Sequence, residues 1–180
     1  MTHRATARAR IVAAAVVVLA LAGLLSGCSS RPGAAALVDG RQIASSDLVT
    51  VVDELKPAVP TVTASLVLST LIQEPTLRQL ASEKGYGVSP DDAKAALESF
   101  FTSAGLTAPT TFSAATLDVG YYQVAATKLQ ADANATAILT EFGDRLGALH
   151  VTVNPRFGTW SAGQIGAAVA RTWIVATPAK

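Results

Sequence analysis

Apolar residues recur along this chain at the three- and four-residue spacing that is typical of amphipathic helices. The clearest example is a set of four positions at i, i+3, i+4 and i+7 that share one helix face: Leu48, Val51, Val52 and Leu55. Either Ser45 or Ser46 can cap this helix, because a serine hydroxyl accepts a hydrogen bond from a free N–H of the first turn. Pro57 and Pro60 follow, so the first helix is predicted to end there.

The second helical stretch covers about residues 61–84 and contains a proline in its middle. Pro75 removes a backbone donor and clashes with the preceding turn, so the pattern predicts either a kink or two separate helices. Gly85 is expected to stop the stretch at its C-terminus, because glycine readily adopts a left-handed conformation.

The third helix has the clearest start signal of the chain. Ser89 is the predicted cap, Pro90 occupies the first helical position, and Asp91 and Asp92 complement the helix dipole. Two adjacent aspartates can also suggest a catalytic or metal-binding pair. Capping explains them better, because adjacent residues of a helix point about 100° apart.

Two further apolar stripes predict a fourth helix over about residues 113–129 and a fifth from about Asn134, and the two are either separate or continuous. Residues 37–43 and 150–154 are instead typical of short strands. The first of these contains Asp39-Gly40, a strong hairpin signal. The predicted fold is therefore mainly α, a bundle of about five helices with a small β element. Residues 161–180 receive no clear assignment.

The N-terminus has the pattern of a bacterial lipoprotein leader. A positive segment with Arg4, Arg8 and Arg10 precedes an apolar run over residues 11–25, which is short for a membrane span. Leu25-Ser26-Gly27 then leads to Cys28, the only cysteine. We therefore expect residues 1–27 to be a signal peptide, Cys28 to be acylated and anchored in the bilayer, residues 28–35 to be a flexible tether, and residues 36–180 to be the domain. A signal-anchor helix with a chance cysteine is the alternative.

Composition and motifs argue against several classes of function. The chain without its leader is slightly acidic, so nucleic acid is not an expected partner. Acylation of Cys28 leaves no free thiol, and His150, expected to be half-exposed on a strand, is the only histidine outside the leader. The sequence contains no P-loop, dinucleotide fingerprint, G-x-S-x-G or H-E-x-x-H motif. We therefore predict that the protein is not an enzyme and needs no metal or cofactor.

Four segments, in this order, resemble the N-terminal chaperone module of SurA-type and PrsA-type envelope foldases. Residues 38–48 (VDGRQIASSDL) are similar to the family's opening "V-N-G-x-x-I-T-x-x-D-L", and residues 67–74 (VLSTLIQE) to its "L-x-x-L-I-x-E". Residues 81–92 (ASEKGYGVSPDD) resemble "A-x-x-x-G-I-x-V-S-D-E-E". Residues 151–160 (VTVNPRFGTW) resemble the closing "V-x-V-N-P-R-Y-G-x-W". The resemblance covers about residues 37–160.

This resemblance implies a mainly helical module in which the N-terminal strand pairs with a strand near residue 151. The foldases also carry a parvulin-type prolyl isomerase domain, for which this chain has no room. The implied function is a non-enzymatic chaperone on the extracytoplasmic face of the cell membrane that binds unfolded or extended segments of secreted polypeptides. The candidate groove residues are aromatic: Phe100, Phe101, Phe112, Tyr121 and Tyr122.

Two other classes of function remain open at the level of sequence. The chain can be a non-catalytic lipoprotein subunit or scaffold of a cell-envelope complex, with another envelope protein or a second copy of itself as partner. A broad, channel-like apolar surface favours the chaperone, whereas a flat patch matched to one partner favours the subunit. A prolyl isomerase ranks last, because the catalytic groups are missing.

Overall fold

Within residues 31–161 and 163–166, which the computed structural model describes, a β-hairpin precedes five helices and three short strands follow them. The mainly helical fold with a small antiparallel sheet confirms the predicted fold class. In chain order the elements are β1 (Ala34–Val38), β2 (Arg41–Ala44), α1 (Ser45–Leu55), α2 (Ala64–Glu83), α3 (Pro90–Ser103), α4 (Ala114–Gln130), α5 (Ala135–Gly147), β3 (Val151–Val153), β4 (Trp160–Ser161) and β5 (Gln164–Ile165).

The sheet joins the two ends of the helical region. Its strand order is β2-β1-β3, all antiparallel, and Ala36 of β1 lies opposite Val153 of β3. The predicted pairing of the N-terminal strand with a strand near residue 151 is therefore confirmed. The β1–β2 turn uses Asp39 and Gly40 at φ 48° and 83°, the left-handed values that a tight hairpin turn requires. β1 also includes the buried Ala34 and Ala35, which were predicted to belong to the tether.

Most helix ends follow the sequence signals, but the start of α1 does not. Ser89 caps α3 as predicted: its hydroxyl accepts from Asp92 N–H, and the Asp92 carboxylate accepts from Ser89 N–H. The predicted serine cap of α1 is wrong, because Ser45 is already its first helical residue. Ala44 precedes the helix there, and its N–H donates to the Asp47 carboxylate at 3.3 Å. Asp47 thus accepts a hydrogen bond from the N–H of Ala44, the residue before the helix, and a serine cap would leave that N–H without a partner.

α2 runs as one assigned helix through Pro75, so the prediction of two separate helices is wrong. The missing N–H of Pro75 leaves the carbonyl of Leu71, four residues earlier, without its usual helical donor. Arg41 of β2 supplies a replacement, because its guanidinium donates to Leu71 O at 3.4 Å. The proline is therefore accommodated by a side chain from another element. The fourth and fifth helices are separate, with residues 131–134 between them.

The buried apolar side chains form two clusters. The first core contains residues of the sheet, of α1 and of the N-terminal half of α2, together with Leu97 and Phe101 of α3. The second core contains Leu77, Leu80 and Ala81 of α2 together with residues of α4 and α5. Both α2 and α4 therefore contribute to both cores, and α2 passes from one core to the other at Pro75.

α3 and α4 approach each other closely at Gly120. A Cβ added at Gly120 of α4 would stand 2.4 Å from Ala93 O of α3, well inside van der Waals contact. Only glycine fits at this position, even though glycine weakens a helix by about 1 kcal/mol relative to alanine.

We expect Gly120→Ala to lower the free energy of unfolding by roughly 1–3 kcal/mol, because the methyl group forces the two backbones apart. Gly143 of α5 is the matched control, since a Cβ there meets nothing within 4 Å. Gly143→Ala should leave stability unchanged or raise it by up to about 1 kcal/mol. Urea unfolding followed by circular dichroism measures both changes, and equal effects would contradict the close approach.

Candidate functional site

An open groove of about 620 Å³ runs along the outer face of α2. Tyr122 of α4, Leu146 of α5 and the β4–β5 hairpin border it on the other sides. All the described residues that line it are uncharged: Thr63, Ser65, Leu66, Ser69, Thr70, Gln73, Tyr122, Leu146, Gly163, Gln164 and Ile165. Leu66 is 56% exposed and is the most exposed apolar side chain of the lining.

Gln73 connects two walls of this groove. Its side-chain oxygen accepts a hydrogen bond from Tyr122 Oη at 3.1 Å, and its Nε2 donates to Gly163 O at 2.8 Å. Ser69 Oγ adds a third link, because it accepts from Ile165 N at 3.0 Å. Side chains of α2 thus hold both the hairpin and Tyr122, and a displacement of Gln73 would move both.

The lining of the groove combines hydroxyl and amide groups with a few apolar side chains. Three of these hydroxyl groups already donate within the chain: Ser65 to Phe157 O, Thr70 to Leu66 O and Tyr122 to Gln73 Oε1. Toward a ligand, their oxygens are therefore acceptors for backbone N–H groups. The exposed Leu66 and the partly buried Ile165 add apolar contact. This chemistry suits an uncharged, extended polypeptide segment.

A buried acidic group lies on α2 directly after Gln73. Glu74 is 2% exposed, and its Oε1 stands 2.9 Å from Nε of Arg78. Among the described residues none gives Oε1 a well-aligned hydrogen bond, so the ion pair satisfies this oxygen only in part. The Arg78 guanidinium in turn lies 4.6 Å from the ring centre of Tyr121.

Burial raises the pKa of Glu74 to about 7, a shift that Arg78 and Arg41 oppose and Asp118 reinforces. Burial also raises the pKa of Asp118 of α4, again against the effect of the two arginines. Glu74 is buried, whereas Asp118 is only partly buried and lines an open pocket together with Arg41 and Asp47. The cluster can therefore bind or release a proton near neutral pH.

The aromatic residues predicted to form the groove are placed differently. Phe101 is buried in the first core, with its ring centre 5.9 Å from that of Phe112, so it cannot contact a bound polypeptide. Phe100 and Phe112 pack against the same core, and Tyr121 lies under Arg78. Of the five, Tyr122 alone lines the groove. The described lining of this groove is thus mainly hydroxyl, amide and aliphatic groups, and a peptide-binding role for the five aromatic residues stays a prediction.

The groove residues of α2 were not among the predicted site residues, although the sequence contains a signal for them. Thr63, Leu66, Thr70 and Gln73 follow at three- and four-residue steps and so share one helix face. A stripe of this kind usually indicates a solvated face, because hydroxyl and amide side chains need no partner other than water. The β4–β5 hairpin packs beside this face and turns it into a groove. No local sequence pattern predicts that contact.

Other predicted positions contribute no chemistry to this site. His150 lies just before β3 with an exposed ring, not half-exposed on a strand, and its Nδ1 is 3.3 Å from Asp39 Oδ1. Residues 31–161 and 163–166 hold no group of three or more His, Cys, Asp or Glu side chains suited to a metal ion. In the same residues no helix has the length and hydropathy needed to cross a bilayer. Cys28 lies outside the described residues.

No family model, no curated protein and no solved structure matches this chain. The resemblance to the SurA-type and PrsA-type chaperone module therefore remains a prediction from the sequence.

The raised pKa of Glu74 predicts that stability depends on pH. A carboxyl group with a higher pKa in the folded chain binds more protons when folded, so its stabilising contribution is complete below about pH 4.5 and is lost as the pH rises through about 7. We expect the free energy of unfolding to fall by roughly 1–3 kcal/mol between about pH 5 and about pH 8. Urea unfolding at the two pH values measures this difference.

Glu74→Gln should remove most of that pH dependence and stabilise the protein at the higher pH. Glu98→Gln on α3 is the matched control, because it removes the same charge from a half-exposed pair with Lys94. The control should keep the pH dependence of the parent protein. Equal slopes in the parent and in Glu74→Gln would show that Glu74 does not titrate in this range.

Proposed function

We propose that this chain is a bacterial lipoprotein that binds extended, unfolded segments of exported polypeptides and catalyses no reaction. The observation that carries this proposal is the open, uncharged groove along α2, with the exposed Leu66 in its lining. An uncharged lining of hydroxyl, amide and apolar groups favours polypeptide backbone and small or aliphatic side chains. Among the described residues that line it, none provides an anchor for a charged metabolite.

The dimensions of the groove support a polypeptide ligand. Its lining positions on α2 extend from Thr63 to Gln73, which corresponds to about 15 Å along a helix axis. An extended chain covers that distance with about four or five residues. Contact with so few residues implies weak, sequence-tolerant binding, and such binding suits a protein that holds unfolded chains and releases them.

The sequence supports the cellular setting of this activity. Acylation of Cys28 would anchor the protein on the extracytoplasmic face of the cell membrane, where exported polypeptides emerge unfolded. The resemblance to the chaperone module of envelope foldases supports the same function.

Protein that begins at Ser29 contains the whole compact unit Gly33–Lys180 and is suited to a binding test. We expect it to bind a fluorescein-labelled, permanently unfolded test protein whose cysteines are reduced and carboxymethylated, and to suppress aggregation of a denatured client. Leu66→Ser should weaken binding roughly five- to tenfold, because a partly buried leucine contributes about 1–1.5 kcal/mol. Fluorescence anisotropy and light scattering measure the two effects.

Leu139→Ser of α5 is the matched control, because Leu139 is 53% exposed and does not line the groove. The control should bind and suppress aggregation as the parent protein does. Absence of binding by the parent protein would overturn the proposal and favour the subunit of an envelope complex, whose partner could then be sought by crosslinking in cells. Equal losses in both variants would place the binding surface outside the groove.

A further inference from the structure

β5 runs along one wall of the groove, in the direction opposite to α2. Gly163 O accepts from Gln73 Nε2 at 2.8 Å, and two residues later Ile165 N donates to Ser69 Oγ at 3.0 Å. Two residues of a strand cover about 6.6 Å and four residues of a helix about 6 Å, so the strand and the helix keep in step. The chain beyond Ile165 is therefore directed toward the next turn of α2, which carries the exposed Leu66.

The end of β5 is held in place beside this turn. Gly166 N donates to Thr159 O at 2.8 Å, and a Cβ added at Gly158 would stand 2.1 Å from Gly166 O, so only glycine fits there. Ser65 Oγ of α2 donates to Phe157 O at 3.3 Å and holds the same loop against the helix. The chain thus leaves Gly166 at a defined place near the N-terminal end of the groove.

The segment that follows, residues 167–180, matches the groove in chemistry, and we call it the exit segment. It contains two charged residues, Arg171 and Lys180, and the eight residues between them are uncharged. These include the run Trp173-Ile174-Val175, an aromatic and two β-branched side chains that favour burial over contact with water. The described lining of the groove is uncharged as well, and Leu66 leaves it an open apolar contact.

The exit segment is long enough to place this run anywhere in the groove. Seven residues separate Gly166 from Trp173, and an extended chain of that length spans up to about 25 Å. The groove extends over only about 15 Å of α2, so the chain can turn back beyond Gly166 and still reach all of it. A groove that accommodates four or five extended residues holds the run with one neighbour on each side.

A second open pocket, of about 460 Å³, competes with the groove for this run. Trp160 and Ser161 of β4 line it together with residues of α5. The exit segment starts from β5, however, and Gln164 and Ile165 of β5 line the groove. The groove is therefore the site toward which the chain is already directed.

We propose that Trp173, Ile174 and Val175 bind in the groove of their own chain and so compete with polypeptide ligands. The binding of the run stands on the course of β5 and on the length and charge of the exit segment. The competition with ligands rests on the proposed function of the groove.

An occupant from the same chain regulates the groove without closing it. Because the run is attached beside its site, its local concentration is high and weak contacts are enough to hold it there. A ligand then finds only part of the molecules free, and its apparent dissociation constant rises in inverse proportion to that part. Occupancy of about four fifths of the molecules weakens ligand binding about fivefold and still allows a ligand to displace the run.

A thiol–disulfide equilibrium tests the binding of the run. Protein that begins at Ser29 has no cysteine, so Thr70→Cys in the groove and Ala176→Cys beside the run give one pair. Thr140→Cys with Ala176→Cys is the matched control, because Thr140 of α5 does not line the groove and, like Thr70, donates its hydroxyl to the carbonyl four residues earlier. In a buffer of reduced and oxidised glutathione, we expect the Thr70 pair to have an effective concentration at least roughly tenfold above that of the control pair.

A charge placed in the run tests whether these side chains hold the segment. Ile174→Asp should lower the effective concentration of the Thr70 pair to that of the Thr140 pair, because an uncharged groove disfavours a carboxylate. Ala179→Asp adds the same charge outside the run and should leave the value unchanged. Equal effective concentrations for the two pairs without the added charge would overturn the binding of the run. Disulfide-linked dimers in place of the intramolecular bond would also overturn it, because the run would then occupy the groove of a second copy.

Binding of the fluorescein-labelled unfolded protein separates the exit segment from the function of the groove. If both proposals hold, Ile174→Asp lowers the dissociation constant roughly fivefold and Ala179→Asp leaves it unchanged. Absence of binding by the parent protein and by Ile174→Asp, with a preferred Thr70 pair, would overturn the proposed function and leave the binding of the run. Binding of equal strength in the parent protein and in Ile174→Asp would overturn the competition and leave the function.

Discussion

A buried carboxyl group on the helix shared by two cores is the constraint on which the rest of this structure depends. Glu74 is almost completely removed from water, and the arginine beside it satisfies its oxygens only in part. Leu71 and Ile72 before it belong to the first core, and Leu77 and Leu80 after it belong to the second.

The residues near Glu74 supply the hydrogen bond that Pro75 removes from α2, and they also form part of the groove. Arg41 donates to the carbonyl that Pro75 leaves free, and this contact ties the β-hairpin to the middle of the helix. Gln73, on the other side of Glu74, holds Tyr122 and the β4–β5 hairpin. Gln73, which links two walls of the proposed binding groove, the buried Glu74 and Pro75 are thus three consecutive residues. Violations of local rules of this kind are expected where a protein functions.

Local signals predicted much of the fold because they act within a few residues. The Ser89-Pro90 start of α3, the Asp39-Gly40 turn and the stop at Gly85 each depend on backbone geometry that the residue itself dictates. Ser45 shows the limit of such signals: the helix begins at Ser45 itself, after Ala44, and the sequence is compatible with either start. Pro75 shows another limit, because the side chain that relieves it comes from Arg41, more than thirty residues earlier.

The site could be predicted only in part, because it is formed by contacts between distant segments. Ser69 meets Ile165 and Gln73 meets Gly163, and no periodic pattern indicates that these residues come together. Aromatic residues were the natural expectation for a polypeptide-binding groove, yet Phe101 serves the first core. Of the five predicted residues, Tyr122 lines this groove: its hydroxyl reaches Gln73 while its ring packs against the second core.

Native-state amide hydrogen exchange resolved along α2 tests most directly whether two cores meet at Glu74 and Pro75. The amides before Gln73 belong to the first core and those after Pro75 belong to the second. We therefore expect two groups of amides with different opening free energies and a boundary between them at the proline. The difference should grow as the pH rises and Glu74 ionises, after correction for the intrinsic exchange rates. One uniform opening free energy along the whole of α2, unchanged by pH, would contradict the account.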